Sequence, residues 1–281
     1  MHGPLPVGVI GLGLIGGSVA LAYREAGHPV FGFDRDAGTL QAARAAGIAV
    51  DRDWTRWVDD VAYLFVATPL PTVPQWIKTV AETARAPKVV AELSSVKRPV
   101  IPALETLPNH LTPLALHPMA GKERSGFAAA DPDLFRGARC AVVPVRGQDG
   151  IGVAEPVLKT LGMRPVVIDA AAHDWAVAVS SHLPYLVAAV LLTAAAESEA
   201  EWRELVGPGF LDTTRAGAAP WEIFEPILRA NRDAVQAAAA RFRRRLDEVL
   251  DRLERDLALD PLRGAASVRA RLTGPELSDE G

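Results

Sequence analysis

Short apolar runs alternate with longer Ala/Leu-rich stretches through the first 169 residues. The runs are Val7–Ile10, Val30–Phe33, Tyr63–Ala67, Val89–Leu93, Leu114–Leu116, Cys140–Val143 and Val166–Ile168. Each has the length of a buried strand, and the stretches between them read as helices. Such alternation predicts βαβ units and a mostly parallel sheet. From about Ala170 the strand signals stop. Ala170–Ala196 and Pro220–Leu259 are helix-like throughout, with a break at Gly207-Pro208-Gly209. In the last long segment Phe242, Leu246, Val249, Leu250, Leu253 and Leu257 recur at helical spacing, a stripe that fits a core or a helix–helix seam. Glu248/Arg252 and Asp251/Arg255 stand four apart on the other face, as solvated pairs that support the helix. The signal fades after Pro261, and a loose tail is expected from about Thr273. The predicted organisation is an α/β domain over residues 1–169 and an all-α domain over 170–281.

The first run leads into Gly11-Leu12-Gly13-Leu14-Ile15-Gly16, a Gly-x-Gly-x-x-Gly pattern with a strand before it and a helix after it. Gly11 suits a tight turn, Gly13 a close approach of backbone amides to a pyrophosphate, and Gly16 close packing of helix on strand. The amides that follow, from Leu14 and Ile15 onward, open the helix and offer its positive end to phosphates. About 20 residues on, Asp34 closes the second strand. Its carboxylate suits a ribose 2′-hydroxyl and repels a 2′-phosphate. The pattern therefore specifies a Rossmann-type, doubly wound sheet with NAD rather than NADP as cofactor. Arg35 weighs against strictness, because an arginine there can stack on adenine or pair with a phosphate. Thr68 and Pro69 follow the Tyr63–Ala67 run, where this architecture places ligands, and fit either a cofactor-lining loop or a plain strand-to-helix turn.

Composition narrows the class. Of 281 residues 49% are apolar, and the net charge is −4, which describes a globular chain with no basic excess for nucleic acid. The single cysteine, Cys140, lies in an apolar run and reads as a buried structural thiol. An internal disulfide is impossible, which fits a reducing cytoplasm. The first apolar stretch is the glycine turn itself, so no signal peptide is expected. Leu183–Ala196 contains Pro184 and Thr193 and is short for a bilayer, so a buried helix is expected there and no membrane association. No metal site is expected.

Three polar clusters lie outside the glycine turn: Ser94-Ser95-Val96-Lys97, then His117 to Gly126, then Ser180-Ser181-His182-Leu183-Pro184. The first two follow strands and so can face the cofactor crevice. His117 sits where a strand becomes a loop, a place that suits an acid–base group as well as a structural histidine. Ser95, at the neighbouring strand end, can hydrogen-bond it and fix its tautomer. His2, His28, His110 and His173 read as ordinary surface or turn histidines.

Taken in order, the glycine turn, Ser95-Val96-Lys97, His117-Pro118-Met119-Ala120-Gly121 with Glu123, Ser125 and Gly126, Ser181-His182-Leu183-Pro184 and Phe210-Leu211-Asp212 with Thr214-Arg215 resemble the prephenate/arogenate dehydrogenases of tyrosine biosynthesis. The resemblance runs from about Val7 to Asn231. It implies a Rossmann domain followed by a helical domain that forms a homodimer. It also implies an NAD-dependent oxidative decarboxylation of prephenate to 4-hydroxyphenylpyruvate. His117 matches the histidine that accepts a hydrogen bond from the substrate 4-hydroxyl, and Ser95 the serine that orients it. Arg215 matches the arginine that binds a substrate carboxylate; on its own it reads as a surface arginine. His182 matches a substrate-pocket histidine at the start of a helix, where a capping role beside Ser181 also fits. Glu123 falls to a gating or side-chain recognition network. Trp221 fits closure of the site or a core tryptophan. Where many members of the family read His-Leu-Pro-His, this chain has Tyr185 in the last position, which bears on prephenate against arogenate. No regulatory domain or mutase segment is expected. The alternatives are an arogenate or amino-substituted-prephenate dehydrogenase, a β-hydroxyacid or imine reductase, and a nucleotide-binding protein without turnover. The reductases commonly use a lysine in the helical domain, and residues 170–225 contain none.

Overall fold

The structure is a computed structural model that describes residues 4–122, 124–148, 150–197 and 200–273. It divides into two compact units, Met1–Asn231 and Arg232–Gly281.

In the first unit the strands are β1 (Val7–Ile10), β2 (Val30–Phe33), β3 (Ala49–Val50), β4 (Tyr63–Val66), β5 (Lys88–Glu92), β6 (Leu111–Pro118), β7 (Arg139–Val143) and β8 (Arg164–Val167). They form one eight-stranded sheet in the order β3-β2-β1-β4-β5-β6-β7-β8. Every pairing is parallel except β6 with β7. The apolar runs therefore form strands where the sequence predicts them. Two-residue β3 is the addition; it is too short to carry a pattern of its own.

Helices cover both faces. On one, α1 (Leu14–Glu25), α2 (Ala37–Ala45) and later α5 (Ile151–Leu161) bury Val19, Ala20, Leu40, Val157 and Leu158 against β1 and β7. On the other, α3 (Val73–Thr83) and α4 (Ile101–Glu105) bury Val73, Ile77, Val80 and Leu104 beside Trp54 and Trp57. This two-sided cover is what permits nearly continuous apolar strands. Cys140 is buried, and burial pushes its thiol up to about 12, in line with a structural role. The sheet order reverses between β1 and β4, which marks the crevice where doubly wound sheets bind ligands.

After β8 the chain is helical. α6 (Ala170–Val177), a π-helical turn (Ala178–His182) and α7 (Leu183–Ala196) run on as one 27-residue stretch. Pro184 has no N–H for the carbonyl of Ser180, and the Leu183 amide instead bonds Ala178 O, which widens the turn. This corrects two expectations. His182 lies inside a continuous helical run and does not start a helix. The run is also long and apolar enough, by length and composition alone, to cross a membrane, and only 28% of its most apolar window is buried. Val190 is 56% exposed, so α7 is not a buried helix of this chain. Then come α8 (Pro208–Thr214) and α9 (Trp221–Ala230), with Gly207 preceding α8. A Cβ on Gly217 would sit 2.6 Å from the Ala189 amide nitrogen, so the turn after α8 packs directly on the α7 backbone.

The second unit contains α10 (Arg232–Glu254) and α11 (Ala265–Thr273). The predicted stripe is helical from Phe242 to Leu253, while Leu257 follows the end of α10; Phe242, Leu246, Leu250, Leu253 and Leu257 are exposed, so it is no core of this chain. Asp251 pairs with Arg255 at 3.0 Å as expected. Glu248 pairs with Arg245 instead of Arg252, which turns to Ala258 O and Asp260 near the helix end. Most of the expected tail lies outside the described residues.

Candidate active site

The glycine turn joins β1 to α1 at the strand-order reversal. Gly11 has φ +90°, and a Cβ there would meet the Ala67 carbonyl at 2.8 Å and the Thr68 amide at 2.9 Å. A Cβ on Gly16 would lie 1.9 Å from Gly11 O. Gly13, by contrast, faces open space. It stands at the N-cap of α1, where no side chain bonds the amides that open the helix. Asp34, just past β2, accepts from the Leu12 amide at 2.8 Å and from the Asp36 amide at 2.9 Å. These two bonds fix its carboxylate at the mouth of the turn and leave lone pairs to spare. Open space over Gly13, an uncapped helix start and a fixed carboxylate fit a dinucleotide. Arg35 lies over the Trp76 ring, 5.7 Å from its centroid. Thr68 opens the loop after β4, where its hydroxyl accepts from Thr72 at 3.0 Å.

Along the same sheet edge, β5 ends at Glu92 and runs into Leu93-Ser94-Ser95-Val96-Lys97. Glu92 and Lys97 are fully buried and ion-paired. Ser94 also donates to Glu92, and Lys97 Nζ donates to Leu116 O at 2.6 Å. The pair ties the end of β5 to the end of β6, one residue before His117. Burial pulls the Lys97 pKa down, opposed by the Glu92 charge.

His117 is half-buried at the end of β6. Its Nδ1 lies 2.9 Å from Nε2 of His173, and Nδ1 of His173 lies 2.8 Å from Oδ1 of Asp174. Two expectations change here. The ring partner of His117 is His173 rather than Ser95, which sits half-buried on the neighbouring loop. And His173 is no surface residue: α6 buries it to 2% exposure against the sheet edge. Asp174 also accepts from the Lys97 amide (2.8 Å), the Arg98 amide (3.0 Å) and Arg98 Nε (3.2 Å). Burial raises its pKa, but these donors and His173 outweigh it and hold the carboxyl below its usual value. The opposite holds for His117. Burial, then the charges of Lys97, His173 and His182, push its pKa well below 6.5.

His182 is buried on the π-helical turn. Asn231 Nδ2 lies 3.2 Å from its Nδ1 and also donates to Asp174 O at 2.7 Å, while Asn231 Oδ1 accepts from Arg98 at 3.1 Å. Burial lowers the His182 pKa to about 4. Tyr185, a turn further on, is buried and stacks on Phe224 of α9, with centroids 3.8 Å apart and planes 8° from parallel. Arg215 is exposed on the short helical turn after α8, and Trp221 is 55% exposed at the start of α9. Glu123 lies outside the described residues.

The structure thus brings His117, His182 and the Ser94–Lys97 loop together and adds Glu92, Arg98, His173, Asp174 and Asn231. A usable signal for the additions was His173-Asp174, two polar residues inside an otherwise Ala- and Val-rich helix. Among the described residues no group of three or more His, Cys, Asp or Glu side chains is placed to hold a metal ion.

Two family models match the chain: prephenate dehydrogenase, nucleotide-binding domain, over residues 19–167, and prephenate dehydrogenase, dimerization domain, over 169–262. The prephenate dehydrogenase of Bacillus subtilis is 29% identical over 88% of this chain and 69% of its own. A Synechocystis arogenate dehydrogenase structure is 26% identical, with a TM-score of 0.80 over 95% of this chain and 98% of that one. The fold also matches a prephenate dehydrogenase from A. aeolicus in complex with hydroxyphenyl propionate and NAD+, at 23% identity and TM-score 0.86 over 96% of this chain and 98% of that one.

Proposed function

The chain belongs to the prephenate dehydrogenase family, and from that premise we propose how its own residues carry out the NAD-dependent oxidative decarboxylation of prephenate in tyrosine biosynthesis. Gly11, Gly13, Leu14, Ile15 and Gly16 hold the pyrophosphate, Asp34 the adenosine ribose, and Arg35, Thr68 and Pro69 flank the cofactor. NAD+, when bound, supplies the hydride acceptor. His117 takes the proton of the substrate 4-hydroxyl at Nε2, the ring nitrogen turned away from His173. As hydride leaves C4, the C4–O bond becomes a carbonyl, and loss of CO2 from the ring carboxylate aromatises the product. Ser95 stands beside this group on the nicotinamide side. Arg215 binds a substrate carboxylate through its planar donors. His182, Tyr185, Glu123 and Trp221 complete the substrate pocket.

The observation that carries this reading is the placement of His117: it lies at the end of β6, and its Nδ1 lies 2.9 Å from His173, which leaves Nε2 for the substrate proton. A proton acceptor must be neutral before the reaction, and burial and the Lys97 charge both lower the pKa of this imidazole, which favours that form. Turnover followed as NADH absorbance, with prephenate and arogenate each offered with NAD+ and NADP+, tests it. Prephenate with NAD+ is expected to give the highest kcat/KM.

The half-exposed apolar faces of α7 and α10 suit a homodimer formed through the helical part, residues 170–281, with 1–169 as the cofactor domain. The buried His173, Asp174 and His182 on the 27-residue helical run suit packing against a protein sheet edge, not lipid. With a single reduced thiol, this favours a cytoplasmic enzyme.

A further inference from the structure

We propose that His173 and Asp174 act as a positioning pair that fixes His117 in the tautomer with hydrogen on Nδ1, leaving Nε2 as the bare acceptor. This rests on the reading of His117 as the group that takes the substrate proton.

The argument follows the donors inward from the protein. Apart from His173, each group bonded to the Asp174 carboxylate is an N–H: the Lys97 amide, the Arg98 amide and Arg98 Nε. The carboxylate is therefore an acceptor only, and His173 Nδ1, 2.8 Å away, must donate to it. A neutral imidazole has one N–H. With it spent on Asp174, Nε2 of His173 carries a lone pair. That lone pair faces Nδ1 of His117 at 2.9 Å. Two lone pairs at this distance repel, so the hydrogen lies on Nδ1 of His117, and its Nε2 is bare. The alternative is a cationic His173 that donates at both nitrogens. It would leave His117 with hydrogen on Nε2, unable to accept a hydroxyl proton. The buried Lys97 ammonium, whose positive charge is felt at His117, opposes a second cation in this cluster.

The arrangement is braced. Asn231 holds the Asp174 carbonyl, and Arg98 joins the Asp174 carboxylate to the Asn231 amide. When His117 takes the 4-hydroxyl proton on Nε2 it becomes a cation, and its Nδ1–H then donates a stronger bond into the His173–Asp174 pair. The pair thus sets the resting tautomer and stabilises the charge that forms. The carboxylate of a serine-protease triad orients its histidine in the same way, here with one imidazole interposed.

The test uses the full-length protein labelled with 15N-histidine, with and without NAD+. Long-range 1H–15N correlation should give His117 a protonated Nδ1 and an unprotonated Nε2. His173→Leu should lose that signature and lower kcat by at least about 10²-fold, the scale of a misoriented catalytic group, with KM for prephenate and NAD+ little changed. His173→Gln places a side-chain oxygen where Nε2 stood and should retain the tautomer and much of kcat. A wild-type His117 protonated on Nε2 overturns the proposal, even if prephenate is turned over. So does a Leu variant with unchanged kcat, or Gln and Leu variants that fall equally. If Leu does not fold, the wild-type tautomer and the Gln variant decide. Failure of the wild type to oxidise prephenate would instead remove the function assigned to His117.

Discussion

The side-chain amide of Asn231 holds its Nδ2 3.2 Å from Nδ1 of His182. The Asp174 carbonyl and Arg98 bind the rest of that amide, so its orientation is set from three sides and His182 meets a donor. His182 is therefore kept as a neutral acceptor, and burial lowers its pKa from 6.5 to about 4.

A pH dependence of stability follows. In the unfolded chain this histidine protonates below about 6.5, while in the folded chain it stays neutral until about 4. Between those values the unfolded state binds more protons, so stability falls as pH falls. The expected loss is at most ~3.5 kcal/mol across the window, at ~1.4 kcal/mol per unit. Denaturant melts of wild type and His182→Gln at pH 7, 6, 5 and 4 measure it. The variant should be less sensitive to acid, and equal slopes would assign the acid sensitivity to other groups.

Lys97 and Glu92 give a stability prediction of a different kind. Both side chains are fully buried and each neutralises the other. Lys97→Met leaves a buried carboxylate without its partner, which should cost about 3–5 kcal/mol. Adding Glu92→Leu removes the stranded charge and should recover part of that loss. Chemical denaturation of both variants checks this. A double variant less stable than the single one would mean that Glu92 holds Ser94 and the loop by hydrogen bonds that matter more than its charge.

The strands and the glycine turn were legible because they depend on local pattern: apolar runs such as Tyr63–Val66, and a positive-φ glycine at Gly11. His117 was legible because it ends a strand. His173 was not. The polar pair His173-Asp174 in an Ala- and Val-rich helix is a local hint of burial, but it does not name the partner, because His117 stands 56 residues away. Asn231 escaped for the same reason, since its bonds reach back to Arg98, 133 residues earlier. The exposed stripe on α10 is the converse case. Periodicity gives an apolar face but does not say what covers it.

Asp34 should decide cofactor choice. Its carboxylate is held by the Leu12 and Asp36 amides in a position that suits a 2′-hydroxyl and repels a 2′-phosphate. Replacing it with serine, together with a new basic residue beside it, should lower the NAD+ to NADP+ ratio of kcat/KM. The two cofactors titrated at saturating prephenate give the answer. A wild type that already prefers NADP+ would refute the assignment.

Arg215→Ala should act on substrate and not on cofactor. Losing a guanidinium that pairs with a carboxylate should weaken apparent substrate affinity by about 2–4 kcal/mol. KM for NAD+ should hardly move. Steady-state kinetics with each ligand varied in turn separates the two. An unchanged substrate KM would put Arg215 outside the pocket.

His117→Asn carries the mechanism. The variant should still bind both ligands, and kcat should fall about 10²–10⁴-fold, the usual worth of a positioned acid–base group. In wild type, kcat should rise with pH through one ionisation, because only the neutral ring accepts the 4-hydroxyl proton. Burial and the Lys97 charge lower that pKa well below 6.5. The acid limb therefore lies under the ordinary histidine range, and kcat stays level through neutral pH as far as this group is concerned. Lys97→Met in a protein that still folds should move the limb upward, toward the free histidine value of about 6.5, because it removes a nearby positive charge. Profiles of kcat from pH 4 to 9 for the three proteins test both statements. A limb that stays in place when His117 is replaced belongs to another residue, and His182, buried beside the same cluster with a pKa of about 4, is then the group to replace next.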